Sequence, residues 1–479
     1  MKLDNISPER VFAYFEQICD IPRGSGDMEK ISQFCMDFAK THNLKAVRDS
    51  ANNVVIFKDA YKGYEDSEPI ILQGHLDMVC QKAEDYDIDF ENDGIDIYAD
   101  GDFVKAKGTT LGADNGIAVA MVLAILESDD IPHPALEVVF TTDEETGMYG
   151  AAALDTSILK SKRMINLDAE EDDILTVSCA GGSEIRINVP VTFQSKCGTK
   201  IDISLKGLKG GHSGVEIAKG RINADILAAR LLNHMKNQCN FELISINGGD
   251  KGNAIPNCCN ISIVTDNAED FSSKAVDYLE IIKAEIARRE NGYVYEISIG
   301  DCGDFKIIEP AAKDKFLSAL LIAPNGVMQM SADIENLVET SLNLGILKTT
   351  DKNIIMLFTL RSNINSALDS LVDRMVAFAD YFGYEYAVYG HYPSWEFKSD
   401  SCLQSIYKEC YKEMFKTNAK VEAIHAGLEC GLFSAKIPGL DCIAMGPSLY
   451  DVHTVNERLS ISSTEKIYNL LIKILKTCL

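Results

Sequence analysis

Three stretches of this chain read as buried strands, and each runs straight into a knot of charge. PIILQGHLDMV (69–79), ALEVVFTTDEE (135–145) and RMINLDAEE (163–171) are dense in Val, Ile, Leu and Phe. Runs of this kind suit the interior of a parallel sheet covered on both faces by helices. GADNGIAVAMVLAILES (112–128) is apolar all round and reads as a buried helix opening at Asp114. Alternating strand and helix text predicts an α/β fold with a mostly parallel sheet. Ligands gather beyond the C-terminal strand ends of such sheets. His75-Leu76-Asp77, Glu144-Glu145 and Asp168 fall there, with Asp114-Asn115 at the helix head and His453 far downstream. Buried carboxylates must be paired or coordinated. Several of them converging with imidazoles need a cation between them, and that donor mixture suits zinc or a similar divalent metal. The chemistry this predicts is metal-dependent hydrolysis.

At 479 residues the chain favours two or more domains. Helices are expected over 7–20, with Ser7 as N-cap and Pro8 at the first helical position, and over 28–42; NNVVIFKD (52–59) reads as a strand. After about residue 182 the texture changes. EIRINVPVTF and KIDISLKGL alternate apolar and polar residues, as half-exposed antiparallel strands do. Helices follow at 222–237 and near 269–289, with strands near 240–247, 258–265 and at IIMLFTLRSN (354–363). Helix 401–416 and strand CIAMG (442–446) return to the first texture. The expected organisation is a discontinuous catalytic α/β domain, 1–182 and 395–479, interrupted by an α+β domain at 183–394 that serves as a lid or dimerisation element.

Lys and Arg total 46 against 72 Asp and Glu, a formal net charge of −26. Such a chain repels nucleic acid and anionic membrane surfaces. The longest clean apolar run, Ile117 to Leu126, is about half a membrane span. The first residues carry acids and no signal-peptide pattern. Fourteen cysteines include the adjacent pair Cys258-Cys259 and no C-x-x-C, which fits reduced thiols in a cytoplasm.

QGHLDMV, LGADNGIAVAM, TTDEETGMYGA, NLDAEE, GGHSG and DVHTVNERLSI, in that order, resemble the motifs of the di-zinc exopeptidase family of aminoacylases, carnosinases and bacterial dipeptidases. The resemblance spans nearly the whole chain. It implies hydrolysis of dipeptides, Xaa-His such as β-alanyl-histidine among them, by a water bridging two zinc ions per subunit. Manganese or cobalt would be able to replace zinc. The alternative within the family is an N-acyl-amino-acid deacylase or a tripeptidase. A homodimer and a fold-over of the insert within one chain both remain open.

The resemblance also assigns residues. His75, Asp114 and Asp168 would hold one metal, and Asp114, Glu145 and His453 the other. Asp114 would bridge the two and be followed by a cis peptide. Asp77 would orient His75 from behind, and Glu144 would be the general base. On an extended strand these two adjacent glutamates would face opposite ways. His212 in KGGHSG, on the inserted domain, would donate to the oxyanion when the domains close or when a partner subunit supplies it. Arg361 in LFTLRSN would hold the substrate's terminal carboxylate. Asn253 in KGNAIPN, and His425 and Glu429 in HAGLECG, would contact substrate.

Overall fold

The structure, a computed structural model, describes residues 2–478. Its fold is mixed α/β, and the chain divides into two compact units. The first comprises Met1–Ser178, Phe397–Ala423 and Leu428–Leu479, and the second Cys179–Glu396 and Ile424–Gly427. The short piece 424–427, expected with the first domain, is bound into the second. Ala180 N–H donates to the carbonyls of Ile424 (3.1 Å) and Ala426 (2.9 Å), and Asn363 Nδ2 donates to Ile424 O at 3.2 Å.

The first unit is built on an eight-stranded sheet. Its spatial order is Lys45–Arg48, Val54–Lys58, Leu136–Thr141, Ile70–His75, Arg163–Asn166, Asp441–Ala444, Ile174–Cys179 and Lys420–Ile424. The four central strands run parallel, with Ile70 opposite Leu136, Ile71 opposite Met164 and Cys442 opposite Met164 on its other side. Ile70–His75, Leu136–Thr141 and Arg163–Asn166 are buried at every position, which is what their unbroken apolar text requires. The Ala113–Glu127 helix is buried along nearly its whole length.

The strands stop short of the polar clusters. They end at His75, Thr141 and Asn166, so Asp77, Glu144, Glu145 and Asp168 lie in the loops that follow. The expectation that Glu144 and Glu145 lie on an extended strand is therefore corrected. Asp143 and Met148 have φ of 52° and 57°, and the N–H groups of Gly147 and Met148 both donate to Glu144 O at 2.9 Å, closing a tight turn. Ser7 does not cap the first helix, Glu9–Cys19. Pro8 takes the cap position, and Ser7 Oγ donates to Glu465 at 2.7 Å instead. The peptide between Asp114 and Asn115 is cis.

A small sheet went unread in the sequence. Leu449–Tyr450, Arg458–Ser460, Phe103–Ala106 and Ile97–Asp100 pair in that order, and the loop between the first two carries His453. The second unit has a nine-stranded sheet, and its pairings are antiparallel. Helices Ala224–Lys236, Ala268–Ile286, Pro310–Ile322 and Asn365–Phe382 close its core. Among the described residues no helix is long and apolar enough to cross a membrane.

Candidate metal centre

Asp114 lies at the meeting point of two donor groups in the first unit. His75, Asp114 and Asp168 form one, and Asp114, Glu145 and His453 the other; within each, the donor atoms lie within 4.8 Å of one another. Asp114 Oδ1 is 3.1 Å from His75 Nε2, while Oδ2 is 3.2 Å from His453 Nε2. His75 Nε2 is 3.5 Å from Asp168 Oδ1, and His453 Nε2 is 2.9 Å from Glu145 Oε2. The backbone at Asp114 allows this. The helix begins at a left-handed Gly112, and Asp114 itself is not helical (φ −80°, ψ 107°), so its side chain is aimed by a kink.

Asp77 sits behind His75 and does more than orient it. Its Oδ1 is 3.3 Å from His75 Nδ1 and accepts the N–H of Glu144 at 3.0 Å. Its Oδ2 accepts the N–H of Glu145 at 3.2 Å and the Ser25 hydroxyl at 2.8 Å. One carboxylate thus fixes a ring and the turn that carries both glutamates. Asn115 links the strand ends from the other side, accepting His75 N–H at 3.1 Å and donating to Leu167 O at 2.9 Å. Gly74 leaves room for it: a Cβ there would lie 2.5 Å from Asn115 Oδ1.

The electrostatics are those of a crowded acid cluster. Burial works against a charged His75, yet Asp168, Asp114 and Asp77 hold its pKa well above the usual imidazole value. Asp114 and Glu145 lift His453 to about 11. Burial likewise works against ionised Asp114, but His453 and His75 keep its carboxyl well below the ordinary range. Burial pushes Asp168 up to about 6 and raises Glu144 well above a normal glutamate, with Asp168, Glu429 and Glu145 adding to the rise. The cluster demands positive charge at its centre. Two sets of imidazole nitrogen and carboxylate oxygen, joined by a shared carboxylate, fit two divalent cations.

The remaining expected residues fall in two places. Glu429 is fully buried at the first turn of the Glu429–Lys436 helix, where its Oε2 accepts from Gln73 Nε2 and from Thr141 Oγ1 at 2.7 Å. It pins that helix to the sheet. His212, Asn253, Arg361 and His425 belong to the second unit. His212 stands on the two-residue strand Gly211–His212 opposite Ala254. Its Nδ1 accepts the N–H groups of Gly214 and Val215, both at 3.2 Å. Burial and the Arg361 charge lower its pKa. An Nδ1 that accepts two backbone N–H groups carries no proton, which leaves the ring's proton on Nε2. A Cβ on Gly214 would lie 3.0 Å from His212 Cε1 and 3.2 Å from Arg361 Nε, so the two side chains converge there. Arg361 Nη1 donates to the Tyr392 hydroxyl at 3.1 Å.

His425, expected at the substrate, is committed elsewhere. Its Nε2 is 2.7 Å from Ser341 Oγ and its Nδ1 3.0 Å from Asn363 Oδ1, and burial first, then Arg361 and His212, pushes its pKa down to about 3. Both ring nitrogens serve the interior. Asn253 is exposed, and its carbonyl accepts Ser213 N–H at 2.9 Å. The sequence offered no signal for Ser25, whose only mark is a contact with a carboxylate 52 positions away, nor for Tyr392.

Against known proteins, Peptidase family M20/M25/M40 matches residues 71–477. The chain belongs to this peptidase family. The cytosol non-specific dipeptidase of Escherichia coli (strain K12) is 36% identical over 484 residues, covering 99% of each chain. The crystal structure of aminoacylhistidine dipeptidase from Vibrio alginolyticus matches 100% of this chain and 98% of its own, with a TM-score of 0.92 and 34% identity. A tripeptidase from Staphylococcus aureus shares the fold at 16% identity and a TM-score of 0.58, over 99% of each chain. As a member of the family the protein is a hydrolase of peptide bonds, and its donor groups match the family's metal dependence.

Proposed function

We propose that the protein is a cytosolic metallo-dipeptidase acting on unblocked dipeptides, Xaa-His substrates such as β-alanyl-histidine among them. Two zinc ions would be held by His75, Asp114 and Asp168 and by Asp114, Glu145 and His453, with manganese or cobalt able to take their place. The observation that carries the reading is the shared carboxylate, one oxygen of Asp114 facing each imidazole at 3.1 and 3.2 Å. The names of the two full-length relatives support dipeptides as the substrate class. All fourteen cysteines are free, which supports a reducing compartment.

Two bound cations would supply polarisation of the scissile carbonyl and activation of the attacking water. The chain supplies the rest. Glu144, its backbone pinned by Asp77, takes the proton from water and returns it to the leaving amine. His212, which belongs to the second unit, would donate a hydrogen bond from Nε2 to the developing oxyanion of its own or a partner subunit's site, a contact strongest in the transition state. Arg361 offers a planar fork to the terminal carboxylate, which restricts cleavage to short peptides.

The test is hydrolysis of β-alanyl-histidine, several α-dipeptides, a tripeptide and an N-acetyl-amino acid, before and after chelation and with zinc restored. Chelator-sensitive dipeptide cleavage that zinc restores is expected, with the tripeptide and acyl compound poor substrates. Preferred cleavage of either of those would move the assignment to a tripeptidase or deacylase. Glu144→Ala should lower kcat by at least about 100-fold while elemental analysis still finds both metals. Undiminished kcat in that variant would remove Glu144 from the mechanism.

A further inference from the structure

Two buried charged residues that were given no role from the sequence, Arg23 and Glu457 (the latter inside DVHTVNERLSI), grip the backbone that carries the donors. Glu457, 3% exposed, faces the head of the Ala113–Glu127 helix. Its Oε2 accepts the N–H groups of Leu111 (2.8 Å) and Gly112 (3.0 Å), and its Oε1 those of Ala113 (2.8 Å) and Asp114 (3.4 Å). N–H groups at a helix start lack intrahelical partners, and the helix dipole favours a negative charge there. Such groups are usually capped by a neighbour in sequence. Here the cap comes from the far end of the chain, four residues beyond His453.

Arg23, 2% exposed, grips carbonyls in the same region. Its Nη1 donates to Leu76 O (3.0 Å) and Asp77 O (3.2 Å), and its Nη2 donates to Gly112 O. Glycine is required beside it. A Cβ on Gly112 would lie 2.5 Å, and one on Gly116 2.6 Å, from Arg23 Nη2. The peptides after His75, those leading to Asp114 and the segment after His453 are therefore tied together by two side chains. Neither side chain contributes a donor atom to the two groups around Asp114.

We infer that Arg23 and Glu457 are positioning residues that hold Asp114 between His75 and His453 before any metal binds. The inference rests on the metal reading above. Asp114 is not helical, so the helix does not fix the direction of its side chain. The grip on residues 111–114 does. These hydrogen bonds run to backbone N–H and carbonyl groups and use none of the donor atoms, so forming them requires no cation, and ordering made in advance adds to affinity.

The test is Glu457→Gln, which keeps the shape but turns an amide donor towards donors. Zinc affinity is read by competition with a chromophoric chelator. Melting is followed with and without zinc, and kcat and KM are measured on a dipeptide. A positioning role predicts zinc Kd raised by about 10- to 100-fold, a smaller zinc-induced rise in Tm, and a fall in kcat with KM little changed. Equal losses of Tm in the metal-free and zinc-loaded protein, with wild-type zinc Kd, would overturn it and leave a mere fold staple. If Glu457→Gln does not fold, Glu457→Asp and Arg23→Lys keep the charges while altering the reach, and the same criteria apply. Wild-type protein that binds no zinc would overturn both this inference and the metal reading. Wild-type protein that binds two zinc ions no more tightly than the variants would overturn this one alone.

Discussion

Among the described residues Arg361 Nη1 reaches the Tyr392 hydroxyl, while its buried Nε has no hydrogen-bond partner. A buried donor left unmade is costly, so an arrangement of this kind calls for a ligand. A carboxylate matches the guanidinium fork, and a lysine, a point charge on a flexible stem, does not. Arg361→Lys should raise KM for a free dipeptide by about 10- to 100-fold, the equivalent of ~1.5–3 kcal/mol for a charged hydrogen bond. KM for the corresponding dipeptide amide should hardly move. An equal loss on both substrates would detach Arg361 from the carboxylate. His75, Asp114, Glu145 and Asp168 stood out because acid and imidazole at the ends of apolar runs are expensive to bury, whereas His453, in the polar stretch DVHTVNE, was marked by the family resemblance. The roles of Arg23, Ser25 and Glu457 were not legible, although Glu457 lies inside DVHTVNERLSI. Their partners are backbone groups or carboxylates remote in sequence, and a buried Arg reads like any surface Arg until its surroundings are known. For His425 the resemblance implied a substrate contact, and nothing in the sequence signalled that Ser341 and Asn363 would lie within hydrogen-bond reach of its two ring nitrogens.

At the scale of elements, the Ala224–Lys236 helix carries an acid that its unit can scarcely hydrate. Asp225 is fully buried beside the Cys259 thiol, and burial raises its pKa to about 8. The native state therefore keeps a proton there that the unfolded chain, titrating near 3.8, gives up. The stabilisation from that proton is complete below the unfolded value and is lost as pH rises through the folded one, at up to about 1.4 kcal/mol per pH unit. Asp225→Asn removes the titration. The difference in Tm between the variant and wild type should grow in the variant's favour from pH 5 to about pH 8 and level off above it. A difference independent of pH would show that Asp225 does not hold the proton. The helices that were given bounds in the sequence were readable to within a few residues, because apolar period and composition are local, but Pro310–Ile322, Asn365–Phe382 and the long strands Val294–Ile308 and Val338–Thr349 were not delimited. Strand ends were overshot, since Val- and Ile-rich text gives no notice that a turn such as 143–148 has begun. The sheet of Ile97–Asp100, Phe103–Ala106, Leu449–Tyr450 and Arg458–Ser460 was invisible. Its strands are two to four residues long, and they pair across most of the chain.

Across the whole molecule, the donors come from residues 75, 114, 145, 168 and 453, yet all lie in one unit. The insertion of Cys179–Glu396 separates Asp168 from His453 in sequence without supplying a donor to either group. Cations bound among these five residues would join the first part of that unit to its last. They would bind the native and not the unfolded arrangement, and so stabilise it by about 4 kcal/mol at a thousandfold excess over Kd. The second unit has its own core around Ile185, Leu231, Ile261, Phe316 and Phe358, and its stability draws on no donor. Chelation should therefore act unevenly. Hydrogen–deuterium exchange of metal-free against zinc-loaded protein should show lost protection in peptides around 72–78, 110–120, 141–147, 165–169 and 449–460. Peptides of the second unit, such as those covering 185–189 and 354–360, should keep theirs. Uniform loss throughout the chain would mean that the cations stabilise the two units as one. Unchanged protection around Asp114 would mean that no cation binds there.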